Sequence, residues 1–298
     1  MKQSASGGVL NLYKPVGITS HDLLKRVRSV LGGKCGHTGT LDPFARGMIL
    51  VCWGKATRIS SLFNDLLKSY RACVRFGLET DTYDVQGKIT HYSSHHITKH
   101  EVVAAAKDME GTVTQEVPLF SARKYRGKPL YFYARKGKQV PSFKKTVCIK
   151  RLEVVSFQEG EFPWAELYVV CSSGTYIRSI AAELGRKVGT YAYLCSLRRE
   201  KIGCFDWRGS MPVEGVANER EALTLNTIPP GESLYWLEKV DLNDKAAVRF
   251  SHGNEVDMAL PGEQKGIHVR VYGNSNFLGI GKPGREENSL QPEIVLDG

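Results

Sequence analysis

The chain has 298 residues, 42% hydrophobic and 9% aromatic, enough to bury the core of one large domain or of a large one plus a small one. No apolar run approaches the roughly 20 residues a membrane-crossing helix needs, and the first twenty residues hold no signal-like stretch. A globular, soluble, cytoplasmic protein is expected. The net charge of +10 is unevenly spread: residues 1–211 carry 33 basic against 17 acidic side chains, whereas Pro212 to Gly298 carries 8 against 14. Such polarity points the first two-thirds at a polyanion. The seven cysteines are odd in number and form no CxxC pair, which argues against a disulfide framework or zinc knuckle and for reduced, mostly buried thiols.

In chain order, Val9 to Tyr13 reads as a strand leading into the turn Lys14-Pro15-Val16-Gly17. A helix starts near the cap residues Thr19 and Ser20, turns Leu23, Leu24, Val27, Val30 and Leu31 inward, and stops at Gly32-Gly33. The loop GHTGTLDPFARG follows. Met48 to Trp53 is a buried strand, and Ala56 to Leu67 is predicted to be a second amphipathic helix. Tyr70 to Phe76 alternates, so Tyr70, Ala72, Val74 and Phe76 share one face. Further on, Glu101 to Met109 and Tyr176 to Lys187 read as helices, and Thr146 to Phe157 and Ala165 to Cys171 as strands. Composition changes around Pro229-Pro230-Gly231. Beyond it, His268 to Tyr272 and Phe277 to Ile280 flank a hairpin turn. The fold class is α+β: a mixed sheet with flanking helices over 1–228, then a small β-rich domain over 229–298.

Three stretches carry chemistry. Residues 121–151 hold 11 Lys or Arg and no acid, interleaved with Tyr125, Tyr131, Phe132, Tyr133 and Phe143. Basic groups release counterions from phosphates and rings stack on bases, so the segment reads as an RNA-gripping insertion. In the opening loop, Asp42 precedes proline and is pushed towards extended backbone, among glycines that permit close approach. Read locally, it is either a turn aspartate or a catalytic carboxylate. His37 beside it is placed to donate a hydrogen bond or wedge into a nucleic acid. In Ser173-Gly174-Thr175-Tyr176-Ile177-Arg178, an arginine at a helix start is suited to pair with a distant carboxylate, which would equip Asp42 as a nucleophile. His91, His95 and His96 read as surface loop residues without metal spacing. The GxGxxG at 279–284 falls in the hairpin, with proline where a helix should start, and is not a dinucleotide site.

The stretches NLYKPVGITS, GHTGTLDPFARGMILVCWGKAT, KSYRACVRFGLETDTYDVQG, VPLFSARKYRGKPLYFYARKG, CSSGTYIRSIAAELG and YLCSLRREKIGCF resemble, in order, the signatures of the TruB family of tRNA pseudouridine synthases. FLGIGKPGREENSLQPEIVL is similar to that family's PUA-like RNA-binding domain. The resemblance implies the pseudouridine synthase fold and isomerisation of uridine 55 in the T loop of tRNA, with base flipping and neither cofactor nor metal. It assigns catalysis to Asp42, Tyr70 and Arg178. Contact with substrate falls to His37, Lys14, Tyr176 and Leu197, and to Arg123, Lys124, Arg126 and Lys128 of the insertion. Asp84 fits the pattern without a defined role. Phe44 and Arg46 stand where small or aliphatic residues are common, so a bulkier, more basic loop rim is expected. The partner is the tRNA T arm; a monomer without an obligate protein partner is expected. Two rivals share the RNA-binding features: a tRNA-folding chaperone that needs no catalysis, and a related synthase acting on another RNA.

Overall fold

A computed structural model of the chain describes residues 7–212, 220–258, 268–286 and 288–296. The first half runs β1 (Gly7–Lys14), α1 (Ser20–Leu31), β2 (Cys35–His37), β3 (Arg46–Gly54), a 3₁₀ helix (Lys55–Asp65), β4 (Lys68–Phe76), β5 (Leu78–Thr80), β6 (Ile89–Tyr92), α2 (Lys99–Asp108) and β7 (Gly111–Glu116). The insertion contributes β8 (Lys124–Tyr125), β9 (Lys128–Pro129) and α3 (Leu130–Ala134). Then come β10 (Lys144–Gln158), β11 (Trp164–Cys171), α4 (Ile177–Lys187), β12 (Ala192–Ile202), β13 (Phe205–Asp206) and β14 (Met211–Pro212). The C-terminal part holds α5 (Arg220–Leu225), α6 (Pro230–Ser233), β15 (Glu238–Leu242), α7 (Asp244–Ser251), β16 (Val256–Asp257), β17 (Val269–Gly273), β18 (Asn276–Pro283) and β19 (Ser289–Val295).

The large sheet runs in the order β14-β1-β3-β12-β4-β11-β10-β7, with β2 on β3 and β13 on β12. Most neighbours are antiparallel, but β3 and β12 meet in parallel over only Arg46↔Arg198 and Gly47↔Arg199. A Cβ on Gly47 would lie 2.3 Å from the Arg199 carbonyl oxygen, and its φ of +113° suits glycine alone. That short seam joins two half-sheets, and the site lies over it.

Three apolar clusters serve the large sheet. Leu10, Leu12, Ile49 and Val51 pack under Leu23, Leu24 and Val27 of α1. A Thr19 capping box starts that helix, its side chain accepting from the Asp22 N–H. Tyr70, Ala72, Val74 and Phe76 do share a face, packing with Leu167, Val169, Ile180 and Leu184. The third cluster joins Val9, Met48, Leu50, Ile59 and Phe63 to Leu234, Ile280 and Leu296 of the C-terminal part.

That part is a five-stranded sheet, β15-β17-β18-β19-β16. Its β17–β18 hairpin turns through Asn274 and Ser275, both at positive φ. Gly279 of the GxGxxG stands inside β18, where a Cβ would lie 1.9 Å from the Ile294 carbonyl oxygen, so strand packing accounts for it.

The helix predicted over Ala56 to Leu67 is a 3₁₀ helix instead. Thr57 and Ser60 hydroxyls bond the Gly54 and Thr57 carbonyls, competing with an α-helical ladder, and Ala56, Ile59 and Leu62 repeat every three residues. All seven cysteines are free thiols, but only Cys52 and Cys171 are buried; Cys204 is exposed. His95 and His96 are exposed, and His91 on β6 stacks on Tyr191 at 4.9 Å. Among the described residues no helix is long and apolar enough to cross a membrane, and no three His, Cys, Asp or Glu side chains cluster as a metal site.

Candidate active site

The loop between β2 and β3 is held along its length. Ser20, the first residue of α1, accepts from the Leu41 N–H at 2.9 Å and donates back to the Leu41 carbonyl at 3.0 Å. The Thr38 N–H donates to Leu50, and the Gly17 N–H to the Pro43 carbonyl at 2.8 Å. Lys14, fully buried at the end of β1, donates through Nζ to the carbonyls of Pro15, Ile18 and Pro43. Leu41, Phe44 and Ala45 turn into the core. Phe44 therefore does not thicken the loop's rim as expected, because it is a core residue; Arg46 is exposed. Of the loop's glycines, Gly47 serves the β3–β12 approach, while a Cβ on Gly36 would meet open space. Anchored on both sides, Asp42 keeps its side chain 32% exposed.

Arg178, in the first turn of α4, grips that carboxylate from within the protein. Its Nε lies 2.9 Å from Asp42 Oδ2 and its Nη2 donates to Oδ1 at 3.1 Å, a bidentate fork. The same guanidinium donates to the Thr82 and Phe120 carbonyls and stands 3.5 Å from Asp84 Oδ2. Asp84 is buried and accepts from the Thr82 hydroxyl and the Gln86 N–H. Burial pushes its carboxyl above the ordinary range, against those hydrogen bonds and Arg178. One arginine thus spans two carboxylates and locks the Asp42 plane.

Asp42 and Arg178 line a cavity of about 260 Å³ together with Tyr70, Tyr176, Leu197 and Arg199. They also line an adjoining cleft of about 730 Å³ with His37, Asp84, Tyr131 and Arg135. Asp42 stands where the two meet. Tyr70 reaches the inner cavity from β4, opposite Arg199 of β12, and Leu197 comes from the same β12 pairing. Burial pushes the Tyr70 phenol up, although Arg199 counteracts it. Burial brings the Lys14 ammonium down to about 8, with Asp42 opposing. His37 is lowered by burial and then by Arg199, which favours a neutral imidazole; its Nδ1 accepts from the Gly39 N–H at 3.3 Å. Tyr176 caps α4, and its N–H and carbonyl pair with the Gln115 amide.

The model of the TruB family pseudouridylate synthase N-terminal domain matches residues 25–177, which include Asp42 and Tyr70. A tRNA pseudouridine synthase B from Caldicellulosiruptor saccharolyticus is 40% identical over 76% of this chain and 80% of its own. The chain belongs to the TruB family. The model of the TruB pseudouridine synthase II C-terminal domain matches residues 239–296. The Gloeobacter violaceus tRNA pseudouridine synthase B is 38% identical over 97% of this chain and 98% of its own. Among solved structures, a Cbf5–Nop10–Gar1 complex aligns with a TM-score of 0.71 at 25% identity, covering 97% of this chain and 84% of the matched one. An H/ACA RNP bound to a substrate RNA containing 2′-deoxyuridine aligns at 0.72, with 22% identity and the same coverage, a likeness of fold. The pseudouridine synthase fold expected from the sequence is the fold observed.

In this TruB chain Arg123, Lys124, Arg126 and Lys128 are all exposed, around a β8–β9 turn through Arg126 and Gly127 at positive φ. None of the four lines the cavity or the cleft that Asp42 and Arg178 share. The insertion's rings are less free than their sequence implies. Tyr125 packs 5.6 Å from both Tyr133 and Phe143, Arg123 lies 4.7 Å over Phe143, and Lys128 and Lys136 each lie 4.5 Å from Phe132. Tyr131, with Arg135 5.5 Å over its ring, stands on the wall of the outer cleft. Sequence reasoning missed Ser20 as a loop anchor and Lys68, whose Nζ donates to the Phe63, Asn64 and Leu66 carbonyls. It also missed Arg199, hidden in a charged run that reads as surface.

Proposed function

We propose that this TruB-family protein isomerises uridine 55 in the T loop of tRNA, with Asp42 as the reacting carboxylate. The N1–C1′ bond breaks, the base rotates, and C5 bonds to C1′; the C5 proton leaves to solvent and N1 gains one. The reaction has no net redox change. A uridine inside a folded RNA must leave its stack first. The inner cavity, at about 260 Å³, has room for a base, and in this reading His37, on the wall of the outer cleft, fills the gap the base leaves. Tyr70 remains a phenol, which suits stacking on the base and hydrogen bonding. Leu197 and Tyr176 give the pocket apolar and aromatic walls, and Lys14 places positive charge beside Asp42.

The observation that carries the reading is the Arg178 fork on a partly exposed Asp42 at the junction of pocket and cleft. Holding a carboxylate in one orientation against a bound nucleotide converts binding into reaction geometry. The reading takes the enzyme as a single chain that grips the T arm with its own basic insertion, without a guide RNA. Incubating an unmodified tRNA transcript with the protein and mapping pseudouridine by chemical adduct and primer extension tests it. One new stop, at position 55, is expected. Modification at another uridine, or none, would overturn the assignment.

A further inference from the structure

Arg199 is the largest fully buried side chain among the described residues, at 1% exposure, and beyond lining the inner cavity it has no role assigned above. Its guanidinium donates in three directions: Nε to the Met48 carbonyl at 2.9 Å, Nη2 to Gly39 at 3.0 Å, and Nη1 to Thr40 at 3.4 Å. All three acceptors are backbone carbonyls, so no carboxylate offsets the charge through these bonds. A buried cation held this way is expensive to desolvate and survives where its geometry is needed. Two of the carbonyls, Gly39 and Thr40, belong to the loop that carries Asp42. The arginine itself sits on β12 across from Tyr70 on β4, at an irregularity in that pairing, and its backbone abuts Gly47 at the seam of the sheet.

We infer that Arg199 is a positioning residue for the reaction, locking the Asp42 loop onto the strand pair that carries Tyr70 and Leu197. The inference rests on the reading of Asp42 as the reacting carboxylate. Arg178 sets the plane of that carboxylate from the α4 side; Arg199 sets the height of the loop from the sheet side. Lysine cannot replace it, since one ammonium is a point donor and the three carbonyls diverge around a planar fork. Met48 is already fixed in β3, so what Arg199 adds is the tie from β3 and β12 to residues 39 and 40.

Arg199→Lys and Arg199→Ala test this against a merely structural role. Arg199→Lys is expected to fold, to keep KM for a tRNA transcript within about threefold, and to lose roughly 10- to 100-fold in kcat, the scale of a displaced reacting group. Added guanidinium ion at concentrations well below denaturing is expected to restore part of the kcat of Arg199→Ala and none of that of Asp42→Asn. Amide hydrogen exchange on the RNA-free proteins provides a second readout. Faster exchange confined to residues 38–45 is expected in Arg199→Lys, with β17 to β19 unchanged. Full kcat in the lysine variant, or exchange raised evenly across the sheet, would overturn the inference. Exchange is read without turnover, so a wild type that failed to isomerise uridine would refute the proposed function while the exchange result still decided the role of Arg199.

Discussion

Lys14 shows how burial writes a pH dependence into a single residue. Its ammonium titrates near 10.5 in an exposed setting and near 8 in the fold, because β1 and the Asp42 loop exclude water from it. Between those pH values the unfolded chain holds a proton that the folded chain has released. The contribution of Lys14 to stability therefore rises with pH across that window, and below pH 8 the cost of the buried charge is present in full. Lys14→Met removes this titration and leaves the others in place. The stability of wild type relative to the variant should increase by up to about 1.4 kcal/mol per pH unit between pH 8 and 10.5. Urea midpoints of the two proteins at pH 8 and pH 10 check it; a constant difference would mean that Lys14 is not the group titrating.

At the scale of elements, what could be read from the sequence divides along physical lines. Strand β4 was legible because one face is wholly buried, which forces Tyr70, Ala72, Val74 and Phe76 into alternation. Helix α1 was legible from its cap and its apolar stripe. Strand β12 was not, since Arg198, Arg199, Glu200 and Lys201 interrupt its pattern, and a buried arginine is written with the same letter as an exposed one. Asp84 was visible but without a role, because its partner Arg178 approaches from a distant helix. The basic character of residues 121–151 was legible from composition alone, and the exposed Arg123, Lys124, Arg126 and Lys128 carry a prediction. Replacing all four by glutamine should reduce the slope of log affinity against log salt for tRNA by about 3, at roughly 0.7 to 0.9 per lost phosphate contact. Salt titrations of filter binding measure this, and an unchanged slope would place the RNA elsewhere.

At the scale of the whole molecule, the C-terminal sheet is bound into the catalytic body. Leu234, Ile280 and Leu296 share a core with Val9, Met48 and Leu50. Arg58 of the 3₁₀ helix also donates to the Val295 carbonyl of β19. Such a shared core couples the two sheets in unfolding, so calorimetry is expected to give one transition; two well-separated transitions would contradict that coupling. The acidic composition of this part fits a brace more than a second polyanion surface, and the sequence showed its charge without showing the core it shares.

The central claim is that Asp42 reacts with a uridine in tRNA. Tritium release from a tRNA transcript labelled at uridine C5 tests it most directly, comparing wild type with Asp42→Asn, because the C5 hydrogen leaves only when C5 bonds to the sugar. Release by wild type, and none by Asp42→Asn despite retained tRNA binding, is the expected result. Undiminished release by Asp42→Asn would contradict the account.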